Sequence, residues 1–393
     1  MASASWLEKV INRARAGLDR PAPYGPDVDV LKYAEAAGGK FDPSRAAEVG
    51  FDLNAKAQYV QVDQSYFDYI SKIPGVEVSR IDDFVENEPD VAKDYVWALV
   101  DPGEDKYTAI AALRGRGGYF IRVKRGSKVE EPIMACLFIG SSGLQAPHNV
   151  VIVEEGAEAT VYTGCTIAPE VVGLHVGISE FYVEKKAKLR FVMVHAWNRA
   201  THVRPRTVTR VGEGGEYVSY YVNVSHARSV QTYPVTYLES GARTYMASVL
   251  LGVGETYMDV GSAAYLLGDD SGAELVSKAV AKDSSNIITR ALIEARAGRG
   301  HIECSGLMLS PSAVISTVPE LRADAEGVDL THEASIGRLA EDEINYLVSK
   351  GFSRRDAIST LIRGFIAVDI PGIPERVRKY MESVERFVAE KAL

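Results

Sequence analysis

Apolar and polar positions divide the chain into three textures. Near the start, "WLEKVINRARAGL" sets Trp6, Leu7, Val10, Ile11 and Leu18 close to helical spacing, which predicts an amphipathic helix. The rest of residues 1–105 mixes helical pattern with turns and proline, a mixed and largely helical N-terminal region. Over residues 106–328 the pattern changes to short alternating runs rich in Val, Thr, Tyr and Gly, which predicts strands. Residues 329–393 return to helical spacing. "AEDEINYLVSKG" puts Ile344, Leu347 and Val348 on one face, acids Glu341 and Asp342 in the first turn, and Lys350–Gly351 at the end. Those charges suit the helix dipole and that glycine a left-handed C-cap. "SRRDAISTLIRGFI" opens with Ser353 and Asp356 at capping-box spacing, and a third helix is expected from Pro374. These helices are expected to close one end of the core as a cap, a role compatible with docking a partner.

The strand-rich middle repeats. Six segments share one layout, two strand-like runs around a small turn, with turns expected at Gly156, Ala187, Gly214, Gly241, Gly272 and Gly298. The spacings are 31, 27, 27, 31 and 26 residues, a period that belongs to solenoids and propellers. Two strands per repeat are too few for a propeller blade. The pattern therefore predicts a mainly β protein with a parallel β-helix core over 106–328, whose coils bury their inward faces by stacking. The alternative is an antiparallel sandwich with regularly spaced hairpins.

Composition narrows the function more than the fold. The chain has 393 residues, 25% charged and 46% hydrophobic, with a formal net charge of −9. No basic block stands out, so nucleic acid is not an expected partner. No apolar run approaches a membrane span and no apolar signal core opens the sequence, so a cytoplasmic, reducing compartment is expected. Three cysteines do not make a disulfide framework.

The common catalytic signatures are missing. There is no phosphate loop, no zincin helix, no nucleophile elbow and no CxxC, and "LGVGETY" lacks the third glycine of a dinucleotide fingerprint. What remains is Cys304 in "GHIECSGLML", His332 and Glu333 in "VDLTHEASIG", and Cys165 in "YTGCTIAP". Strand alternation puts Cys304 on the face of Ile302, where a small buried hydrophobe is the ordinary role of a cysteine. His332 is ordinarily a hydrogen-bonded junction residue, and Glu333 a first-turn acid answering a helix dipole. Taken together, a thiolate, an imidazole and a carboxylate suit iron or zinc. One cysteine is too few for a four-thiolate cluster in one chain. The set fits a site completed by a second subunit, or one meant to hold its cargo weakly.

The stretches "GGYFIRVKRGSKVEEPI", "VYTGCTIAPEVVGLH", "HIECSGLMLSPSA", "THEASIG" and "SKGFSRRDAISTLIRGF" resemble the SufB/SufD family, the scaffold proteins of the SUF iron–sulfur cluster assembly system. The resemblance covers about residues 115–367. It implies a right-handed parallel β-helix between N- and C-terminal helical regions, and a non-catalytic scaffold that holds a transient iron–sulfur cluster at a subunit interface. The SufB side of the family carries the cysteine and the His–Glu pair. By the resemblance, Cys304 and Glu333 help hold the cluster, and a residue matching His332 is offered by the partner. Cys165 accepts sulfur, which passes inside the β-helix, with Trp197 along that path. His195 stands where a glutamine is usual, and Thr331 where a glutamate is typical. The implied partners are a SufC-like ABC-type ATPase docked on the C-terminal helices, a sulfur donor protein, and a second SufB/SufD-type subunit or a second copy of this chain. The family leaves room for a flavin, for which the chain shows no motif. The competing expectations are a SufD-like subunit that ligates no cluster, and a β-helix enzyme acting on polysaccharides. The latter requires stacked carboxylates or arginines on an outward face, and no such stacking is visible.

Overall fold

A computed structural model of the chain describes residues 2–368 together with Glu382, Arg386, Ala389 and Glu390. The expected third C-terminal helix, from Pro374, lies largely outside these residues.

The middle of the chain is a parallel β-solenoid of about eight turns, as the period predicts. One wall is a ten-stranded sheet. Its spatial order begins with Tyr66–Ser71, Ala57–Val62 and Ile133–Ile139 and continues through Glu158–Ile167, Lys188–Ala196 and Glu216–Ser225. It ends with Arg243–Gly252, Gly272–Ala281, Arg299–Met308 and Asp329–Arg338. Only the first pair is antiparallel. The facing wall changes along the solenoid. Early coils bend, so that Gly173–His175 is followed after a corner by Ile178–Val183. Later coils run straight, and Tyr257–Leu266 pairs with both Ser229–Thr232 and Val235–Leu238. Alternate residues from both walls meet inside. Phe181 and Phe191, for example, pack with ring centroids 4.6 Å apart.

The coils turn where the backbone enters the left-handed region. The residues there are Gly126, Gly156, Lys186, Gly214, Gly241, Asp270, Gly298 and Gly327. Four of the six expected turn residues are among them. In the second turn the left-handed residue is Lys186, beside the expected Ala187. In the fifth it is Asp270, and Gly272 instead opens a strand. The turns stack: the N–H groups of Gly156, Lys186, Gly214 and Gly241 each donate to a carbonyl of the next coil, at 2.8–3.0 Å.

The two ends of the solenoid differ. At the first end, the hairpin of Ala57–Val62 and Tyr66–Ser71 extends the ten-stranded sheet, and Val76–Arg80 pairs antiparallel with Tyr119–Val123. The N-terminal segment is tied on by buried charge. The carboxylate of Glu180 accepts from the backbone N–H groups of Trp97, Leu99 and Val100 at 2.6, 2.5 and 3.0 Å, and lies 2.7 Å from Nε2 of His148. At the other end, Asp329–Arg338 forms a strand exposed along almost its whole length. The expected placement of "THE" at the head of a linker to a helix is therefore corrected. The residues continue the solenoid's period, and neighbouring coils pair in register.

The C-terminal helices Glu341–Ser349 and Arg354–Ile366 do not sit over that end among the described residues. Ile362 and Ile366 pack with Val276, Val280 and Leu307, on the outer face of the ten-stranded sheet. The expected cap is thus a side buttress, because the outward positions of these strands are apolar enough to bury a helix.

Candidate functional site

Cys165 occupies an inward position on Glu158–Ile167. His195 lies one coil further on and pairs with it in register, so the two share a face at one strand spacing. The third member, His175, comes from Gly173–His175 before the corner. The thiol sulfur and one ring nitrogen of each histidine lie within 4.8 Å of one another, and all three residues are buried. Each ring is held from behind. Nδ1 of His175 is 3.0 Å from Oε1 of Gln145, whose amide donates to the carbonyls of Phe138 and Asp63 at 2.9 and 3.2 Å. Nδ1 of His195 is 3.0 Å from the hydroxyl of Tyr221, which accepts from Nδ2 of Asn223 at 2.6 Å. Nε2 of His195 and Nε1 of Trp197 are buried without a hydrogen-bond partner. The Trp197 ring lies 4.9 Å from His175 and 5.4 Å from His195.

Burial sets the charge of this group. It pushes the Cys165 thiol well above its usual pKa, with nearby Cys136 adding to the rise. It pulls His175 down to about 3, and His195 well below its usual value, with His175 adding to the fall. Both imidazoles are therefore neutral at neutral pH and offer lone pairs. The thiol is protonated until something displaces the proton.

A polar row leads away from this group. Tyr221, Ser248, Ser277 and Cys304 pair in register on successive strands, all on the inward face. A cavity of about 50 Å³ lies along it between the sheets, lined by Met193, Tyr221, Ser248 and Ser262 among others. That is room for a few water molecules. It is far below the roughly 300 Å³ of a small-molecule pocket, so a flavin does not fit there. From the strand of Cys165 to that of Cys304 are five strand steps of about 4.8 Å, roughly 24 Å in all.

Cys304 ends the row on the last strand but one. It is 2% exposed. Burial raises its thiol pKa, while the hydroxyls of Thr317 and Thr289 on the facing wall work the other way. Register decides which residues join it. Ile302 pairs with His332, Cys304 with Ala334 and Glu303 with Glu333. His332 thus shares the inward side with Cys304, two positions away along the neighbouring strand. Glu333 lies on the outward side with Glu303, whose carboxylate is paired with Lys278 and lowered by it. The bonds of His301 to Thr331 at 2.8 Å and Ser335 to Ser305 at 3.4 Å mark the same outward face. Within one chain, Cys304 and His332 share the inward side and Glu333 stands on the other.

Of the residues singled out from the sequence, Cys165, His195 and Trp197 form one cluster, with Cys165 some 24 Å by strand spacing from Cys304 and about 29 Å from His332. His175, Gln145, Tyr221 and Asn223 were not singled out. The period itself could have found two of them. Cys165 and His195, like Gln145 and His175, are 30 residues apart, one coil.

Residues 137–365, more than half of the chain, match the family described as "SUF system FeS cluster assembly, SufBD core domain". The chain belongs to the SufBD family. It is 42% identical over 354 residues to an iron–sulfur cluster assembly SufBD family protein of Archaeoglobus fulgidus, covering 88% of this chain and 95% of that one. A SufBD family protein of Methanothermobacter thermautotrophicus is 38% identical over 392 residues, 94% of this chain and 95% of its own. The iron–sulfur cluster assembly protein SufB of Bacillus subtilis is 25% identical over 329 residues, 81% of this chain and 70% of its own. As a SufBD protein the chain is a component of iron–sulfur cluster assembly. The family match begins at Leu137, so it takes in both cysteine neighbourhoods and the first two C-terminal helices.

Proposed function

We propose that this chain is a non-catalytic, cytoplasmic scaffold on which an iron–sulfur cluster is built. It receives sulfur at Cys165 from a donor protein and holds the nascent cluster where its open last coil meets a second subunit. The observation that carries the reading is the inward row joining the Cys165 cluster to Cys304, next to an edge strand whose outer side has no strand partner among the described residues. Cys304 and His332 approach that edge from inside, and Glu333 stands on its outer side. A second SufB/SufD-type subunit, or a second copy of this chain, completes the shell by pairing along the edge. Four thiolates are not assembled, which suits cargo that must leave. The ABC-type ATPase docks on the C-terminal helices, where Tyr346, Val348 and Phe352 are 62, 40 and 43% exposed.

The test is anaerobic reconstitution with iron and sulfide, read by absorption and Mössbauer spectra. Wild type is expected to take up a cluster and Cys304→Ser to lose it with the apo fold unchanged. Equal clusters in both would sink the reading. A SufD-like, non-ligating role is the second reading. Cys304 is 2% exposed and faces away from Glu333, which favours it, and it would leave wild type without a cluster unless a SufB partner is supplied.

A further inference from the structure

We infer that Cys165, His175 and His195 form a binding site for one divalent transition-metal ion, of the iron(II), cobalt or zinc class, inside the solenoid. The inference does not rest on the scaffold reading, since it needs neither the last coil nor a second subunit.

Three features support it. The donor set is one thiol and two imidazoles, borderline ligands that suit these metals and leave hard cations such as magnesium aside. The donor atoms converge, all within 4.8 Å. In a tetrahedral site with usual metal–sulfur and metal–nitrogen bonds, donors lie about 3.5 Å apart, so the group must draw in by roughly 1 Å. Finally, the site is built from behind. Gln145 and Tyr221 hold one nitrogen of each ring, as outer partners do in metal sites, and Nε2 of His195 is left buried and unpartnered. A buried nitrogen with no partner costs stability, and a ligated metal removes that cost. Three protein donors leave a fourth position open, the arrangement of sites that exchange a ligand and not of closed structural sites. A surface pocket of about 280 Å³ is lined by Trp197, His226, Arg45 and Glu48, and the Trp197 ring in its wall lies against both histidines. Binding displaces the thiol proton, so one proton is released per ion.

The probe is cobalt(II), titrated anaerobically into the full-length protein at neutral pH. Wild type is expected to bind one equivalent, with a thiolate-to-cobalt charge-transfer band and release of one proton. Cys165→Ser is expected to abolish the band. Tyr221→Phe, which touches no metal, is expected to weaken binding by about 10- to 100-fold. His195→Gln is expected to weaken it further. Cys304→Ser, which removes the edge thiol, is expected to leave the band intact, and this separates failure here from failure of the cluster reading. Circular dichroism checks each fold. Absence of the band in wild type, its survival in Cys165→Ser, or its loss in Cys304→Ser each overturns the inference.

Discussion

Replacing Glu180 by alanine should free the N-terminal segment from the solenoid. The carboxylate is fully buried and accepts three backbone N–H bonds, from Trp97, Leu99 and Val100, besides its contact with His148. Each donor left buried and unpaired costs about 1–3 kcal/mol. Water entering the vacated space recovers part of the sum, which leaves about 3–5 kcal/mol, the usual cost of removing one partner from a buried charged pair. The unfolding of so long a solenoid is a poor two-state measure, so the assay is local. Native-state hydrogen exchange at the three amides should accelerate by roughly 100- to 4,000-fold, since about 1.4 kcal/mol corresponds to a factor of ten. Amides of Gly272–Ala281, far along the solenoid, should be unchanged. Acceleration below about tenfold would show that these bonds do not hold the segment, and the reasoning would fail.

Other outcomes follow from the same structure. The contribution of buried His175 and His195 to stability should be full above pH 6.5 and fall as pH drops from there toward about 3, because the unfolded chain binds protons that these side chains refuse. Each histidine contributes a slope of up to about 1.4 kcal/mol per pH unit, so between pH 7 and 5 the denaturation midpoint of His175→Gln should fall less than that of wild type. Native alkylation should label no cysteine quickly, since all three are buried. Cys304, nearest the open end, should react first, and equal labelling of Cys165 would contradict its enclosure. Combining Tyr346→Ala with Phe352→Ala should weaken co-purification with the ABC-type ATPase while leaving circular dichroism unchanged. Undiminished co-purification would remove these helices as the docking surface.

The architecture was legible because a solenoid writes its period into the chain. Stacked left-handed turns favour glycine, and four of eight recur near that spacing as expected. Lys186 and Asp270 were invisible to a search for small residues, because lysine has no preference for that conformation and aspartate reaches it through its short polar side chain and not through small size. The first and last turns, at Gly126 and Gly327, lie beyond the segments recognised as repeats. The candidate site was half legible. Cys165, His195 and Trp197 stand on one short arc of the sequence period, but His175 enters from before a corner, which alternation along a single strand does not reveal. His332 and Glu333 were misplaced for a related reason. Local charge suggested a helix start, while pairing with Ile302 and Glu303 holds both in a strand.

The unequal ends bear on the size of any assembly. A stack of parallel coils with two free ends would add copies head to tail and grow into a fibre. Here an antiparallel hairpin ends one side of the ten-stranded sheet, and a parallel strand ends the other, with Val314, Val318 and Ile336 exposed beside it. Two copies that met through their last coils would turn unlike, antiparallel ends outward, so that contact could not simply repeat, and the union would be a pair and not a fibre.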